Sequence, residues 1–310
     1  MIFDDTNLRP MGAVSLSARA KDYLDTARPQ TVPTETLDRH TAELIRAGRR
    51  AVTHEVRDSL ANQYSLSISD AVISGVAVKV IEPKLSRDDA TVLYLHGGAF
   101  VFGEPDDIGS LLIAHHTERR VISVNYRLAP EHPFPSGLDD CRAVVRAIGS
   151  ERNDYAMIGM SAGATLAASA LLAEREHMAH LPTSLTLLTP ASDFTNFGDS
   201  IDFNDGRDPV LTWQNQLDIA LKAYVGDHDI SDPLISPIFG DYDPQWPNTL
   251  IVTGTRDLLL SSCVRLSRAM KAKQAPVVLS VWDGMWHGFN YVPDLPEALE
   301  CWAEIKSFVI

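Results

Sequence analysis

Short apolar runs that alternate with helix-like stretches constrain the fold of this 310-residue chain more than any other feature. Each run is mostly apolar without the alternation of a one-sided strand, which is typical of a strand buried on both faces of a sheet. Regular alternation of strands with helices predicts a mainly parallel sheet with helices on both faces. The runs span residues 92–95, 121–124, 155–158, 185–188, 250–252 and 277–281. Predicted helices span residues 108–119, 137–149, 164–178, 261–274 and 296–308.

Two further strands come before this alternation. Residues 67–82 alternate apolar and polar positions around Gly75, which indicates a hairpin. Together with the six runs, the hairpin predicts an α/β fold with an eight-stranded, mostly parallel sheet. Earlier still, residues 15–28 and 35–60 have apolar residues at helical spacing. The second of these two stretches is heavily charged, so we expect it to cover the core and not to form it.

One interval, residues 193–245, carries no strand pattern, and its helix-like stretch 213–225 lies among Asp, Gly and Pro. We predict that this insertion and residues 1–60 form a helical cap over the carboxyl ends of the strands, where such sheets bind ligands. The alternative is a surface excursion with no role in recognition. The predicted core comprises residues 61–192 and 246–310.

Charge and cysteine content narrow the partners and the compartment. The chain has 27 basic and 41 acidic residues, a net charge of −14 that argues against nucleic acid or an anionic membrane as partner. Residues 1–7 lack the basic and apolar regions of a secretory signal. Cys141, Cys263 and Cys301 lie in apolar helical patterns, which predicts buried free thiols, a reducing compartment and hence a cytoplasmic protein.

The segment Gly159-Met160-Ser161-Ala162-Gly163 follows one apolar run and precedes a helix rich in Ala and Leu. This is the strand–turn–helix context in which a G-x-S-x-G segment forms a nucleophile elbow. Small residues around Ser161 allow the tight turn that exposes its hydroxyl. The segment therefore predicts Ser161 as a nucleophile.

A second segment, His96-Gly97-Gly98-Ala99-Phe100, ends another apolar run. Loops of this kind supply backbone N–H groups to an oxyanion, and the first N–H groups of a helix do the same. We therefore predict an oxyanion hole formed by Gly97, Gly98 and Ala162. His96 precedes the serine, and we expect it to hold the loop by hydrogen bonding. The two segments together favour acyl transfer.

A serine nucleophile needs a general base and a carboxylate that orients the base. On α/β sheets of this kind the chain order is serine, acid, histidine, with each residue in a loop after a strand. His287 follows the last apolar run, and Asp257 follows the run before it. Asp283, on the same loop as His287, is the alternative acid. His177, His180 and His228 are less favourably placed to act as the base. Asp241 and Asp243 are less favourably placed to act as the acid.

These motifs carry a family resemblance. The chain resembles the bacterial hormone-sensitive-lipase-like (family IV) carboxylesterases of the α/β-hydrolase fold. The segments that carry it are residues 95–100, 126–135, 159–163, 232–237, 257–259 and 287–289. The resemblance implies hydrolysis of small carboxylic esters with short to medium acyl chains, without metal or organic cofactor. Met160 stands where the family commonly has Asp or Thr, and we expect it to point into the core beneath the elbow.

Other functions use the same residues. An amidase or arylformamidase would have the same triad, a true lipase would need an interfacial surface, and a ligand-binding receptor on this fold would lack the histidine. Lactones are a further candidate substrate. The edge position of strand 277–281 suits pairing in a homodimer. Aromatic and sulfur side chains near the motifs predict an apolar substrate pocket formed by Phe100, Phe102, Met160, Trp213 and Trp286.

Overall fold

A computed structural model of the chain describes residues 16–29, 31–32, 36–86 and 90–309, apart from the side chain of Asn215. Over these residues the strands are β1 (Leu66–Ile73), β2 (Val76–Pro83), β3 (Thr91–Leu95), β4 (Arg120–Val124), β5 (Tyr155–Met160), β6 (Ser184–Leu188), β7 (Asn248–Gly254) and β8 (Val277–Trp282). The α-helices are α1 (Ala18–Thr26), α2 (Arg39–Gln63), α3 (Ile108–Thr117), α4 (Ser136–Glu151), α5 (Ala162–Glu174), α6 (Ser200–Asn204), α7 (Asp218–Val225), α8 (Leu260–Ala272) and α9 (Pro296–Phe308). Short 3₁₀ turns span Arg175–His177, Pro237–Phe239 and Phe289–Tyr291, and a π-helical turn spans Trp213–Leu217.

One sheet contains all eight strands, in the order β1-β2-β4-β3-β5-β6-β7-β8. Strand β2 is antiparallel to both of its neighbours, and the six later strands are parallel to one another. The predicted hairpin is present, and its turn is Ser74-Gly75, both at positive φ as in the two-residue turns that match strand twist. The predicted eight-stranded, mostly parallel α/β fold is confirmed.

Two apolar layers cover the two faces of the sheet, which explains why the strands are apolar at successive positions. Leu93 and Leu95 of β3 face a layer that contains residues of α4, α5 and α8. Val92 and Tyr94 face the opposite layer, which contains residues of α3 and α9. Strands β3, β5 and β6 are buried at every position. Their carboxyl ends are therefore held rigidly, and the loops that follow them carry the candidate residues.

Cys141, Cys263 and Cys301 belong to these layers, are buried, and form no disulfide. Burial raises the pKa of each thiol well above its usual range. They pack as small apolar side chains.

Helices α1 and α2 precede the sheet, and α6, α7 and the π-helical turn lie in the insertion between β6 and β7. Helix α2 begins after Asp38, whose carboxylate accepts the N–H of Thr41 at 2.8 Å as an N-cap. Helix α1 begins after Ser17, whose hydroxyl accepts the N–H of Ala20. In the part of the chain described here, no helix has both the length and the apolar content to cross a membrane.

Candidate active site

The elbow forms where β5 ends and α5 begins. Ser161 connects them at φ 53° and ψ −118°, a conformation that costs energy for a residue with a side chain and persists only where the surroundings impose it. Its N–H donates to the carbonyl of Leu188 at the end of β6, at 2.7 Å. Gly163 is required because a Cβ there would lie 2.0 Å from the carbonyl oxygen of Leu95. Close packing of α5 on β3 thus fixes the position of the serine.

Three of the predicted residues form one hydrogen-bonded chain. The Nε2 atom of His287 lies 3.0 Å from the Oγ of Ser161, and its Nδ1 lies 3.0 Å from Oδ1 of Asp257. Asp257 also accepts the hydroxyl of Thr253 at 2.7 Å and the N–H of Leu259 at 2.9 Å. These bonds orient the carboxylate toward Nδ1, which leaves Nε2 facing the serine hydroxyl. Ser161 and His287 are 126 residues apart in the chain, and both are buried.

The loops that carry the acid and the histidine are tied to each other. The N–H of Arg256 donates to the carbonyl of Met285 at 2.8 Å, and the N–H of Thr255 donates to the carbonyl of Trp282 at 3.0 Å. Asp283, the alternative acid, is exposed and lies 3.4 Å from the hydroxyl of Thr255. The geometry therefore favours Asp257 over Asp283 as the partner of His287.

A second buried carboxylate, Asp208, touches the same loops and was not among the predicted site residues. Its Oδ2 accepts the backbone N–H groups of Leu258, at 3.0 Å, and His287, at 3.3 Å. Its Oδ1 accepts those of Val210, at 2.8 Å, and Leu211, at 3.1 Å. Asp208 thus joins the insertion to both loops of the triad. Its only sequence signal is an Asp-Pro pair within a segment rich in Asp, Gly and Pro.

The two carboxylates and the imidazole influence one another. Burial raises the pKa of Asp208, the charge of Asp257 raises it further, and His287 opposes both effects. Burial lowers the pKa of His287, but the charge and hydrogen bond of Asp257, together with the charge of Asp208, exceed this effect. The net result is a His287 whose pKa is raised above the ordinary histidine value. Loss of negative charge at either carboxylate should lower it.

The glycines of the predicted oxyanion loop pack against the serine. A Cβ on Gly97 would lie 3.4 Å from the Cβ of Ser161 and 3.1 Å from the carbonyl oxygen of Met160. Gly98 has a φ of 122°, and its carbonyl accepts the N–H of Phe102 at 2.8 Å. Ala162 is the first residue of α5, where backbone N–H groups have no acceptor within the helix. Gly97 thus packs against the serine, Ala162 follows it in the chain, and Gly98 lines the same cavity as both Gly97 and Ser161.

His96 is fully enclosed beneath this loop. Its Nδ1 lies 2.8 Å from the carbonyl oxygen of Gly97, and its ring stacks on Tyr126 with centroids 4.2 Å apart. Burial lowers the pKa of His96 to about 4, so the ring is neutral at pH 7. The hydroxyl of Tyr126 donates to the carbonyl of His96 at 2.7 Å. These contacts fit the expected role of His96 in holding the loop.

A cavity of about 430 Å³ opens onto Ser161 and His287. Phe102 and Met160, both predicted pocket residues, line it. For the other three the prediction is wrong: Phe100, Trp213 and Trp286 do not lie among the described residues that line the cavity. Their rings are used in packing instead. Phe100 stacks on Tyr224 at 3.8 Å, Trp286 stacks on Tyr23 at 4.5 Å, and Trp213 packs against Phe197 at 4.9 Å.

Met160 stands in the elbow at the position where the resembled family commonly has Asp or Thr. Its side chain is buried in the layer beneath the elbow, and its Sδ lies 3.7 Å from the hydroxyl of Thr189. A Cβ added to Gly97 would lie 3.2 Å from the Cγ of Met160, and a Cβ added to Gly288 would lie 2.8 Å from its Cε. Met160 therefore fills the space between the oxyanion loop and the histidine loop.

Within the described ranges, no group of three or more His, Cys, Asp or Glu side chains is arranged to hold a metal ion.

Comparison with known proteins identifies the family. A family model described as the alpha/beta hydrolase fold matches residues 92–291, about two thirds of the chain. The chain belongs to the α/β-hydrolase family. An esterase of Acinetobacter venetianus is 32% identical over 244 residues, which cover 76% of this chain and 79% of the relative. Carboxylesterase NlhH of Mycobacterium tuberculosis is 29% identical over 251 residues, which cover 74% of this chain and 76% of the relative.

Solved structures narrow the placement within the α/β hydrolases. The crystal structure of esterase E25 superimposes with a TM-score of 0.88 at 30% identity and covers 100% of this chain and 97% of that chain. The crystal structure of an esterase from the bacterial hormone-sensitive lipase family superimposes with a TM-score of 0.73 at 33% identity. The match covers 79% of this chain and 84% of that chain. The predicted resemblance to these esterases is confirmed, and with it the enzyme class, carboxylic ester hydrolase.

Proposed function

We propose that this α/β hydrolase is a serine carboxylesterase that acts on small esters with short to medium acyl chains through an acyl-enzyme. The observation that carries the proposal is the hydrogen-bonded chain Ser161–His287–Asp257 at the base of an open cavity. Nucleophilic catalysis by serine requires this arrangement of hydroxyl, base and orienting acid. Hydrogen bonds from Thr253 and Leu259 hold Asp257, and a backbone hydrogen bond to Leu188 holds Ser161, so the arrangement is supported before substrate binds.

In the proposed mechanism, Ser161 Oγ attacks the ester carbonyl carbon while His287 Nε2 accepts the hydroxyl proton. Asp257 stabilises the imidazolium that forms. The N–H groups of Gly97, Gly98 and Ala162 stabilise the negative oxygen of the tetrahedral intermediate. His287 then donates its proton to the leaving alcohol, which leaves the acyl group on Ser161. A water molecule, deprotonated by His287, then attacks the acyl carbon. The bond to Ser161 Oγ breaks, His287 returns the proton to that oxygen, and the carboxylic acid leaves.

A substrate panel tests the proposal against its alternatives. We expect the highest kcat/KM on p-nitrophenyl acetate and butyrate, with a decline toward palmitate as the chain outgrows the 430 Å³ cavity. A p-nitroanilide of the same acid should be hydrolysed far more slowly. Faster cleavage of the anilide or of an N-formylated aniline would indicate the amidase or arylformamidase alternative. Emulsified long-chain triglyceride tests the lipase alternative, and γ- and δ-lactones test the cyclic substrates.

The non-enzyme alternative, a ligand-binding receptor, predicts binding without turnover. Ester analogues would then raise the melting temperature, but no acid or alcohol would be released. The presence of His287 within hydrogen-bonding distance of Ser161 favours the enzyme.

The pH dependence of activity should reflect His287. The imidazole must be neutral to accept a proton, so kcat/KM falls as pH decreases through the pKa of the free enzyme. Because that pKa is raised, the midpoint of the fall is expected above about pH 6.5, the ordinary histidine value. Initial rates on p-nitrophenyl butyrate between pH 5 and 9 would measure it. A rate that stays constant down to pH 5 would contradict a histidine base.

Asp208→Asn should move this midpoint to lower pH, because it removes a negative charge that stabilises the imidazolium. It should also lower kcat, since the amide NH₂ group cannot accept the backbone N–H groups that now donate to one of the two carboxylate oxygens. Asp202→Asn removes the same charge from an exposed position in the insertion and should leave the midpoint in place. A purely structural role for Asp208 would lower kcat without moving the midpoint.

We also propose a homodimer that pairs through the edge strand β8. Support comes from Val278 and Val281, which are 53% and 43% exposed on that strand at the end of the sheet. Light scattering should give twice the mass of one chain for the wild type and the mass of one chain for Val278→Glu. A monomeric wild type would contradict the proposal.

A further inference from the structure

Helix α2 presents a stripe of basic side chains to the cavity. Residues three or four positions apart lie on one face of a helix, and the basic residues of α2 follow this spacing along the cavity wall. The basic stripe consists of Arg46, Arg49, Arg50, His54 and Arg57, all of which line the cavity. One wall of the site that holds the nucleophile is therefore lined with basic side chains.

All members of the basic stripe but one are paired with a carboxylate. Arg46 makes two hydrogen bonds to Glu131, at 2.7 and 2.9 Å. Arg50 and His54 lie 3.5 and 2.8 Å from the carboxylate of Glu104. Arg57 lies 2.8 Å from Asp106 and 2.8 Å from Asp58.

Arg49 is the exception. In the described part of the chain it has no carboxylate within ion-pairing distance, and its Nε is buried without a hydrogen-bond acceptor. Its guanidinium lies over the ring of Phe102, 4.2 Å from the centroid, in the same cavity as Ser161. Burial lowers the pKa of Arg49, and no neighbouring charge opposes the effect. Arginine nevertheless stays protonated in proteins, so the group is a half-buried cation with no carboxylate beside it.

A half-buried cation of this kind lowers the stability of the protein until an anion pairs with it. A buried charge without a partner destabilises a protein, and the planar guanidinium binds a carboxylate with two parallel hydrogen bonds. Among the described residues, the carboxylates that line the cavity are Glu104, Asp106 and Asp107. The first two are engaged by Arg50, His54 and Arg57. Burial raises the pKa of Asp107 to about 7, and it contacts Tyr94 and the N–H of Ser110. None of the three neutralises Arg49.

We propose that Arg49 binds an ionised carboxylate of the substrate, so that the preferred substrates are esters that carry one free carboxylate, such as monoesters of dicarboxylic acids. This inference rests on the proposed function of the same site. The net charge of −14 would repel a distant anion, but salt screens charges beyond about 8–10 Å. The charge of Arg49 therefore acts on a carboxylate inside the cavity more strongly than the distant net charge does.

The test compares matched charged and neutral esters. Monoethyl and diethyl esters of succinic, glutaric and adipic acids place the carboxylate on the acyl side at three distances. 4-Butanoyloxybenzoate and 4-butanoyloxybenzamide place it on the alcohol side. The measured quantity is the ratio of kcat/KM for the charged ester to that for its neutral partner, in the wild type and in variants of Arg49.

Arg49→Met should lower this ratio by about ten- to a hundredfold for at least one pair, as expected for loss of a charge-assisted hydrogen bond. Arg49→Lys should retain part of the ratio because the charge remains. Arg39→Met is the matched control, since Arg39 is on the same helix, exposed, and outside the cavity. It should leave the ratio unchanged.

Two results would overturn the inference. Equal losses on charged and neutral esters would mean that Arg49 only supports Phe102 and the oxyanion loop. A ratio in Arg49→Met equal to that of the wild type for every pair would mean that the guanidinium does not meet the substrate. Failure of the wild type to hydrolyse any neutral ester would instead refute the proposed function, independently of Arg49.

Discussion

Replacement of Ser161 by alanine is expected to lower kcat for p-nitrophenyl butyrate by about 10⁴-fold or more, as in triad enzymes generally. The variant lacks the oxygen that forms the acyl-enzyme, whereas the oxyanion loop and the cavity remain. We therefore expect KM to change little. Burst kinetics with a slowly deacylating ester should show one acyl group per active site in the wild type and none in the variant.

Ser169 provides a matched control on the same helix. It is fully buried, and its hydroxyl has no hydrogen-bond partner among the described residues. Ser169→Ala removes the same atom two turns further along α5 and should leave kcat within about twofold of the wild type. Near-normal esterase activity in Ser161→Ala would exclude Ser161 as the nucleophile.

Asp257→Asn is expected to lower kcat by about 10⁴-fold, the loss typical of an amide in place of the triad acid. The carboxylate accepts a hydrogen bond from Nδ1 of His287, whereas an amide can turn its NH₂ group toward that nitrogen. The imidazole would then carry its proton on Nε2 and could not accept one from Ser161. Steady-state kinetics above the midpoint of the wild-type pH profile, where the base is neutral, would measure the loss.

Asp283→Asn makes the same change at the alternative acid. Because Asp283 is exposed and Asp257 occupies the position next to Nδ1, kcat should fall by no more than about threefold. If Asp283→Asn proved as damaging as Asp257→Asn, the assignment of the acid would have to be revised.

The fold and the chain order of the site follow from local sequence patterns. Buried parallel strands are recognisable because they are apolar at successive positions, and a loop at the end of such a strand lies at one edge of the sheet. Ser161 and Asp257 could be predicted because each follows a buried strand of this kind, and His287 because it follows the mostly apolar edge strand β8. The parallel topology then brings them together, although 126 residues separate the serine from the histidine.

Asp208 could not be predicted in this way. Its contact with His287 joins residues 79 positions apart and depends on the path of an insertion that has no periodic pattern. The prediction that Phe100, Trp213 and Trp286 line the pocket was wrong for a related reason. An aromatic side chain near a motif can equally face the substrate or the core, and the stacking of Trp286 on Tyr23 depends on how α1 packs. Arg49 was likewise one of many charges on a charged helix until its neighbours were known.

The hydrogen bonds of Asp208 have a consequence for protein engineering. The backbone N–H groups of Val210 and Leu211 bind one oxygen of this carboxylate, while the other oxygen binds the loops of Asp257 and His287. Val210 and Leu211 also line the cavity and are natural targets for altered selectivity. Substitutions there that shift the backbone will disturb the acid and the base as well. Substitutions chosen at these two positions for a new substrate will therefore also change kcat. Libraries of such variants should be screened for substrate preference and for kcat.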